Sequence, residues 1–573
     1  MVEPYFNTRR DSTVHPDIRM DSIEKDLSLC IIGRYARVLV ASPLFAGSYP
    51  SQSMVLRVPC VPSLVILITA LSMAHCAPDD GAATVDATTK GATTDPATLS
   101  PATSNTTIST AAPSPSPATN AATNAAINTA TFDAVWTTVR DSHWDATLGG
   151  VDWNAVRAEL LPKATAAESN EALRAVLTDA LSRLQQSHFA IIPSEFANTE
   201  ESELEAPNAD DASNAQPATV AKQPSPAVKE GQSGAELAFM PHEGAAGTWD
   251  AIVVAVESGS PAEHAGVTAG MRVTKIANGN IDTIAAVADH LPPGDGLERY
   301  QRAQMAHIAT TGDPGTTRSW QLETVDGSTL TADVPYELDS RPHTKFGLLP
   351  PLPTELTWRH LDETERQRWG ATDHEIGLIR FNIWLIPVAR PFDIAMDTLR
   401  SADGIIIDLR GNPGGIGAMA MGIAGHFTSE ARELGEMKTR DVTLQFKTNP
   451  RTVSSTGVAV TPYAGPVAIL VDDSTASTSE IFAGGLQFLK RAKVFGTRTA
   501  GAALPAITMT LPNGDVFLHA IADYRLPDGS ALEATGVVPN NARPYTRADY
   551  AALGDPAMAE AVRWIASQRS NEH

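Results

Sequence analysis

Three hydrophobic patterns succeed one another along the chain. Phe132, Val135 and Trp136, then Leu173, Val176, Leu177, Leu181 and Leu184, recur at helical spacing. This predicts two or three amphipathic helices ending near Gln186, with a short strand over 188–192. From Gly234 the runs shorten to "GAELAFM", "WDAIVVAVES", "MRVTKIANGNI" and "TRSWQLETVDGSTLTADV". Gly266, Gly270 and an Asn-Gly pair turn the chain between them, and Pro261 to Ala265 reads as a short helix, so this part is β-rich. From about Lys345 to Ile565, continuous apolar runs such as "GIIIDL" and "VAILV" alternate with helical stretches such as "PFDIAMDTLRSA" and "SEIFAGGLQFLKRA". Strands apolar on both faces belong to a mainly parallel sheet covered by helices. The expected fold class is mixed α/β and multidomain: a helical domain over 131–199, a β-rich domain over 233–340 and an α/β core over 345–565.

Two stretches break the pattern. Residues 77–130 are rich in Ala, Thr, Ser and Pro with hardly a large apolar side chain, and 200–232 are Pro/Ala/Asp/Ser-rich without periodicity. Neither can bury a core, so the first reads as a disordered tether and the second as a flexible insert. Met54 opens "MVLRVPCVPSLVILITALSMAHC", with Arg57 before an apolar stretch from Val61 to about Leu71. That length suits a signal peptide over 54–76 better than a spanning helix, and residues 1–53 read as an upstream extension. Cys76 is a candidate lipid anchor, although Met73-Ala74-His75 departs from the usual residues before a lipidated cysteine. The chain is expected to be exported, to the periplasm, the envelope or beyond, with membrane contact only through that anchor.

Charge and chemistry narrow the partners. Across 573 residues, 43 Lys+Arg stand against 66 Asp+Glu, a net −23, which disfavours nucleic acid and anionic surfaces. Cys30, Cys60 and Cys76 all precede the globular part, so disulfides and thiolate metal sites are not expected there. No metal or nucleotide motif occurs and G-x-S-x-G is absent, so neither a cofactor nor an α/β-hydrolase is expected.

Two strand-to-loop junctions remain. "GIIIDLRG" runs into Asn412-Pro413-Gly414-Gly415, and "VAILVDD" runs into "STASTSE", 474–480. Loops at the carboxyl ends of parallel strands meet in one crevice. The hydroxyl-rich run has two readings. It is a helix cap with Glu480 closing a capping box, or it holds a nucleophilic serine where helix N–H groups stabilise an oxyanion.

The segment "GSPAEHAGVTAGMRVTKIANG" resembles a PDZ domain of the bacterial protease type. The resemblance implies that Glu236, Leu237, Ala238 and Phe239 lie in a loop and strand that bind a peptide C-terminus. "IDLRGNPGG", "VDDSTASTSEIFAGGLQFLKRAKVFGTRTAG" and "LPDGSALEATGVVPN", in that order after the PDZ-like module, resemble peptidase family S41, the C-terminal-processing and tricorn-like serine proteases. The resemblance covers about 131–565 and implies that Ser477 is the nucleophile. The lysine base of the C-terminal-processing branch is replaced by Ala502, and the glutamine after it by Ala506. Lys490 and Lys493, on or just after the helix, read as solvated charges. The tricorn-like branch takes its base from the helical domain. By that resemblance "LSRLQQSHFAII" supplies Ser187 and His188, with His188 the base, and "LEATGVVPN" supplies Glu533 to orient the pair, although Asn540 stands where Asp is usual. Backbone N–H groups of Gly414 or Gly415 and of Thr478 form the implied oxyanion hole. His143, His242, His264, His343, His360 and His426 read as ordinary surface residues. The function expected is an exported serine endopeptidase acting on unfolded or partly folded protein. The alternatives are a non-catalytic S41-fold binding protein and a PDZ-centred envelope scaffold.

Overall fold

The structure, a computed structural model, describes residues 117–197, 230–242, 248–278, 281–288, 290–292, 294–541 and 543–569. The signal-peptide and lipid-anchor expectations, and the body of the 200–232 insert, lie outside these residues. Among the described residues no helix is long and apolar enough to cross a membrane. The architecture is mixed α/β, with helices and several separate sheets.

Three helices open it: α1 (Pro117–Ser142), α2 (Trp153–Thr165) and α3 (Asn170–Ser182). Asp152 and Ser169 cap the second and third by accepting from Ala155 and Ala172 N–H. Helix α1 starts well inside the stretch read as a tether. Alanine favours the helix, and its middle is held by Asn128, whose amide donates to Ala167 O, and by Thr129 against Thr165. Phe132, Val135, Leu173, Leu177 and Leu181 form the core of this unit with Phe517 of the later chain. The link is a strand: β1 (Ala190–Ile192) pairs antiparallel with residues 516–518.

The β-rich unit is a sheet of β2 (Ala235–Pro241), β3 (Trp249–Val256), β4 (Arg272–Asn278), β5 (Thr317–Glu323) and β6 (Thr329–Pro335), in that order, with helix α4 (Glu298–Thr310) packed on β2. β2 is an edge, paired only with β3 among the described residues. Its burial alternates, so Leu237 and Phe239 join the unit's core while Glu236 faces outward. Residues 231–232, placed in the flexible insert by composition, pair with 311–312 and 337–338.

The core sheet runs in the order β7 (Leu356–His360), β8 (Ile376–Phe381), β9 (Gly404–Asp408), β10 (Val467–Val471) and β11 (Lys493–Gly496). β8 to β11 are parallel and β7 is antiparallel. β9 and β10 are buried at every position, as their unbroken apolar runs require. Helix α5 (Thr478–Phe488) follows β10, and β12 (Ala506–Thr510) and β13 (Val516–Ala520) form a hairpin that β1 extends.

Candidate active site

The loops after β9 and β10 are stitched together by Asn412. Its carbonyl accepts from Ala476 N–H (3.1 Å) and Ser479 Oγ (3.1 Å), its amide donates to Phe381 O, and its Oδ1 accepts Gly414 N–H at 2.8 Å. Gly415 meets Trp384 so closely that a Cβ would lie 2.1 Å from Trp384 O, and its φ of +147° is one that side chains resist. Trp384 Nε1 donates to Ser479 Oγ, and Thr478 Oγ1 donates to Gly415 O. Asn412 and Trp384 thus carry the local geometry; the sequence marks Asn412 only as part of a glycine-rich loop, and Trp384, an aromatic after a strand, gives no signal there.

Ser477 stands at the N-cap position of α5 with φ 52° and ψ −112°, neither helical nor extended. A non-glycine residue held there costs of order ~1–3 kcal/mol and persists only where its surroundings impose it. Its N–H donates to Glu480 Oε2 at 2.9 Å. His188 is likewise at positive φ, 62°.

The base candidate arrives from the helical unit. Glu533 Oε2 accepts from Ser187 Oγ (2.8 Å), Glu533 Oε1 accepts from Ser187 N–H (2.7 Å), and Ser187 Oγ lies 2.6 Å from His188 Nδ1. Because the single Ser187 hydroxyl proton goes to Glu533, Ser187 Oγ accepts from Nδ1–H, and the lone pair of the ring is left at Nε2. Burial holds the imidazole well below its ordinary range, at about 3, so it is neutral near pH 7. Burial also pushes Glu533 up to about 7, against the hydrogen bonds from Ser187 and Ala503 that favour its charged form, with the nearby Glu480 charge pushing it further up.

Segment 499–503 joins the two halves. Glu480 accepts from Thr499 Oγ1, Gly501 N–H and Ala502 N–H, and Glu533 accepts from Ala503 N–H. Ala502 is buried against Ala476 and Ala500, under Leu297 and Tyr300. Arg299 of α4 donates to Thr499 O and Thr535 O. Ser187, His188 and Glu533 are therefore one hydrogen-bonded string, tied through Ala502 and Ala503 to the turn that carries Ser477.

Several expectations are corrected. The Gly414 N–H is taken by Asn412, whereas the bonds above leave the Gly415 and Thr478 N–H groups unused. Leu237 and Phe239 turn their side chains into the β-rich unit's core, leaving main chain for any ligand, and Glu236 pairs with Arg380 of β8 at 3.0 Å. His143 and His426 are buried, not surface residues: His143 bonds Gln186 and stacks on Phe189, and His426 bonds Asp393. A cavity of about 1730 Å³ lies between β2, α4 and the core, with Ala238, Arg302, Arg380 and Asp472 among its lining. Neither Ser477 nor His188 lines it, and Ser477 is only 1% exposed.

Residues 375–542 match peptidase family S41, and residues 128–182 match the tricorn protease C1 domain. The chain thus carries a peptidase family S41 domain preceded by a tricorn-type helical segment. It is 30% identical over 158 residues to a carboxyl-terminal-processing protease of Synechocystis sp., covering 28% of this chain and 35% of that protein. To a probable CtpA-like serine protease of Staphylococcus haemolyticus it is 29% identical over 136 residues, 24% of this chain and 26% of that one. The matched stretches span between a quarter and two fifths of these relatives. Among solved structures, the photosystem II D1 C-terminal processing protease aligns over 72% of this chain and 92% of that chain at 18% identity and a TM-score of 0.43.

Proposed function

We propose that the chain is an exported serine endopeptidase that hydrolyses peptide bonds of unfolded or partly folded proteins. The observation that carries this reading is the Glu533–Ser187–His188 string, which leaves an unprotonated Nε2 on a neutral imidazole. His188 takes the Ser477 proton as Oγ attacks the scissile carbonyl, then returns it to the leaving amine. Water repeats the exchange to release the acyl group. Ser187 and Glu533 hold the ring and stabilise the imidazolium. The N–H groups of Gly415 and Thr478 receive the oxyanion, at a helix N-terminus where developing negative charge is favoured. Lys490 and Lys493 take no part.

The β-rich unit is read as a PDZ-like module, supported by the open edge of β2 beside α4, where a peptide C-terminus can add as a strand. Export rests on the leader pattern of 54–76.

Casein hydrolysis and fluorophosphonate labelling, wild type against Ser477→Ala, test the reading. Both should be lost in the variant; hydrolysis that survives the substitution overturns it, and a wild type that binds peptide without cutting favours the binding-protein alternative.

A further inference from the structure

Glu480 is a buried carboxylate that a helix cap does not account for. A capping glutamate bonds its own N-cap N–H, here Ser477 at 2.9 Å. Glu480 accepts three more hydrogen bonds, from Thr499 Oγ1 at 2.6 Å, Gly501 N–H at 2.8 Å and Ala502 N–H at 3.0 Å. It is fully buried, and among the described residues no cation is bonded to it. Taking a carboxylate out of water costs several kcal/mol. A cap alone would function as well at the surface, so the burial has to be explained by the groups the carboxylate joins.

Those groups belong to both halves of the site. The next amide along, Ala503 N–H, goes to Glu533, which holds Ser187 and through it His188. Adjacent backbone amides, their Cα atoms about 3.8 Å apart, are thus taken by two different carboxylates, one per half. This also gives position 502 a role without a functional side chain, since only its N–H is used.

We infer that Glu480 is a positioning residue for the nucleophile: it clamps the Ser477 turn to segment 499–502 and so sets the gap between Ser477 and His188. The clamp holds Ser477 at its positive φ through the Ser477 N–H bond, and it removes the freedom of the turn to slide along the segment that Glu533 grips from the other side. Glu480 touches no reacting atom.

The inference rests on Ser477 being the nucleophile, so the experiment begins with fluorophosphonate labelling of wild type and Ser477→Ala. If Ser477→Ala is labelled and cleaves peptide as wild type does, the nucleophile assignment fails and the clamp with it. With that assignment standing, Glu480→Gln keeps the shape but sets an NH2 against N–H donors. A misplacement of about 1 Å costs about 10²-fold, so kcat and the labelling rate should fall about 10²-fold, with KM changed less than about threefold. The pH at which activity rises should also move down, because the Glu480 charge no longer opposes ionisation of Glu533. A merely structural role would lower the melting midpoint without splitting kcat from KM in this way. If Glu480→Gln does not fold, Thr499→Val decides: it removes the donor to Glu480 together with the acceptor of Val537 N–H, leaves the carboxylate, and should lower kcat about tenfold at unchanged KM. Labelling of the folded variant at the wild-type rate, or a loss that falls on KM with kcat kept, overturns the clamp.

Discussion

The proposed nucleophile and the proposed base are mounted in opposite ways. Ser477 lies between β10 and α5, both within the largest core cluster; its N–H goes to Glu480 three residues on, and its neighbours Ala476, Thr478 and Ser479 bond the Asn412–Gly415 loop. His188 precedes a three-residue strand, and what holds it there is long-range: Glu533 on Ser187, the β1–β13 ladder, and Asp515 accepting from both Arg174 and Ser194 N–H. One half is built by the sheet and the other is docked onto it. Changes near Ser477 should therefore damage chemistry in a fold that stays intact, whereas changes around His188 should loosen the docking and the chemistry together.

The largest effect that sharpens this contrast is His188→Ala. Without its base the hydroxyl is a weak nucleophile, so peptide hydrolysis should fall by about 10³-fold or more, while Lys490→Ala and Lys493→Ala keep wild-type rates in the same assay. The next effect is a dependence on pH. Below about pH 7 the Glu533 carboxyl takes up a proton, becomes a donor to Ser187, and frees the Ser187 proton for Nδ1, which moves the ring proton to Nε2. The base form is therefore lost as pH falls, and kcat/KM should rise through about pH 7. Glu533→Gln, which never ionises, should stay at the low-pH rate throughout; a wild-type profile flat from pH 6 to 8 would count against the string. Gly415→Ala comes third. Its Cβ meets Trp384 O, so the oxyanion donor shifts and kcat should fall about 10²-fold, with far-UV circular dichroism unchanged. Smallest on rate and largest on stability is Asp515→Ala, which leaves Arg174 with Glu195 alone, takes the acceptor from Ser194 N–H and costs about 2 kcal/mol. It shows as a lower midpoint in a urea melt.

The sequence made the sheet-built half legible because burial on both faces writes itself as unbroken apolar runs, as in β9 and β10. The docked half was legible at Ser187 and His188 only through family resemblance, since nothing near residue 188 announces a carboxylate at 533. Glu480 was misjudged in kind: a glutamate three residues after a serine is fully explained by local capping, and its bonds to 499–502 are tertiary. The inward side chains of Leu237 and Phe239 follow from strand alternation, which the ligand-loop reading passed over. The start of α1 was hidden because Ala-rich sequence suits both a tether and a helix, and the buried Asn128 amide decides between them.

The strand β1 has a consequence for what counts as one molecule. The covalent path from the proposed base to the proposed nucleophile runs through the chain between Ala197 and Glu230, while the ladder from 190 to 192 and the Asp515 ion pair join the two halves non-covalently. A chain severed in that interval keeps every hydrogen bond of the string. The site then belongs to an assembly of two polypeptides, and loss of full-length protein on a denaturing gel would not mean loss of the enzyme.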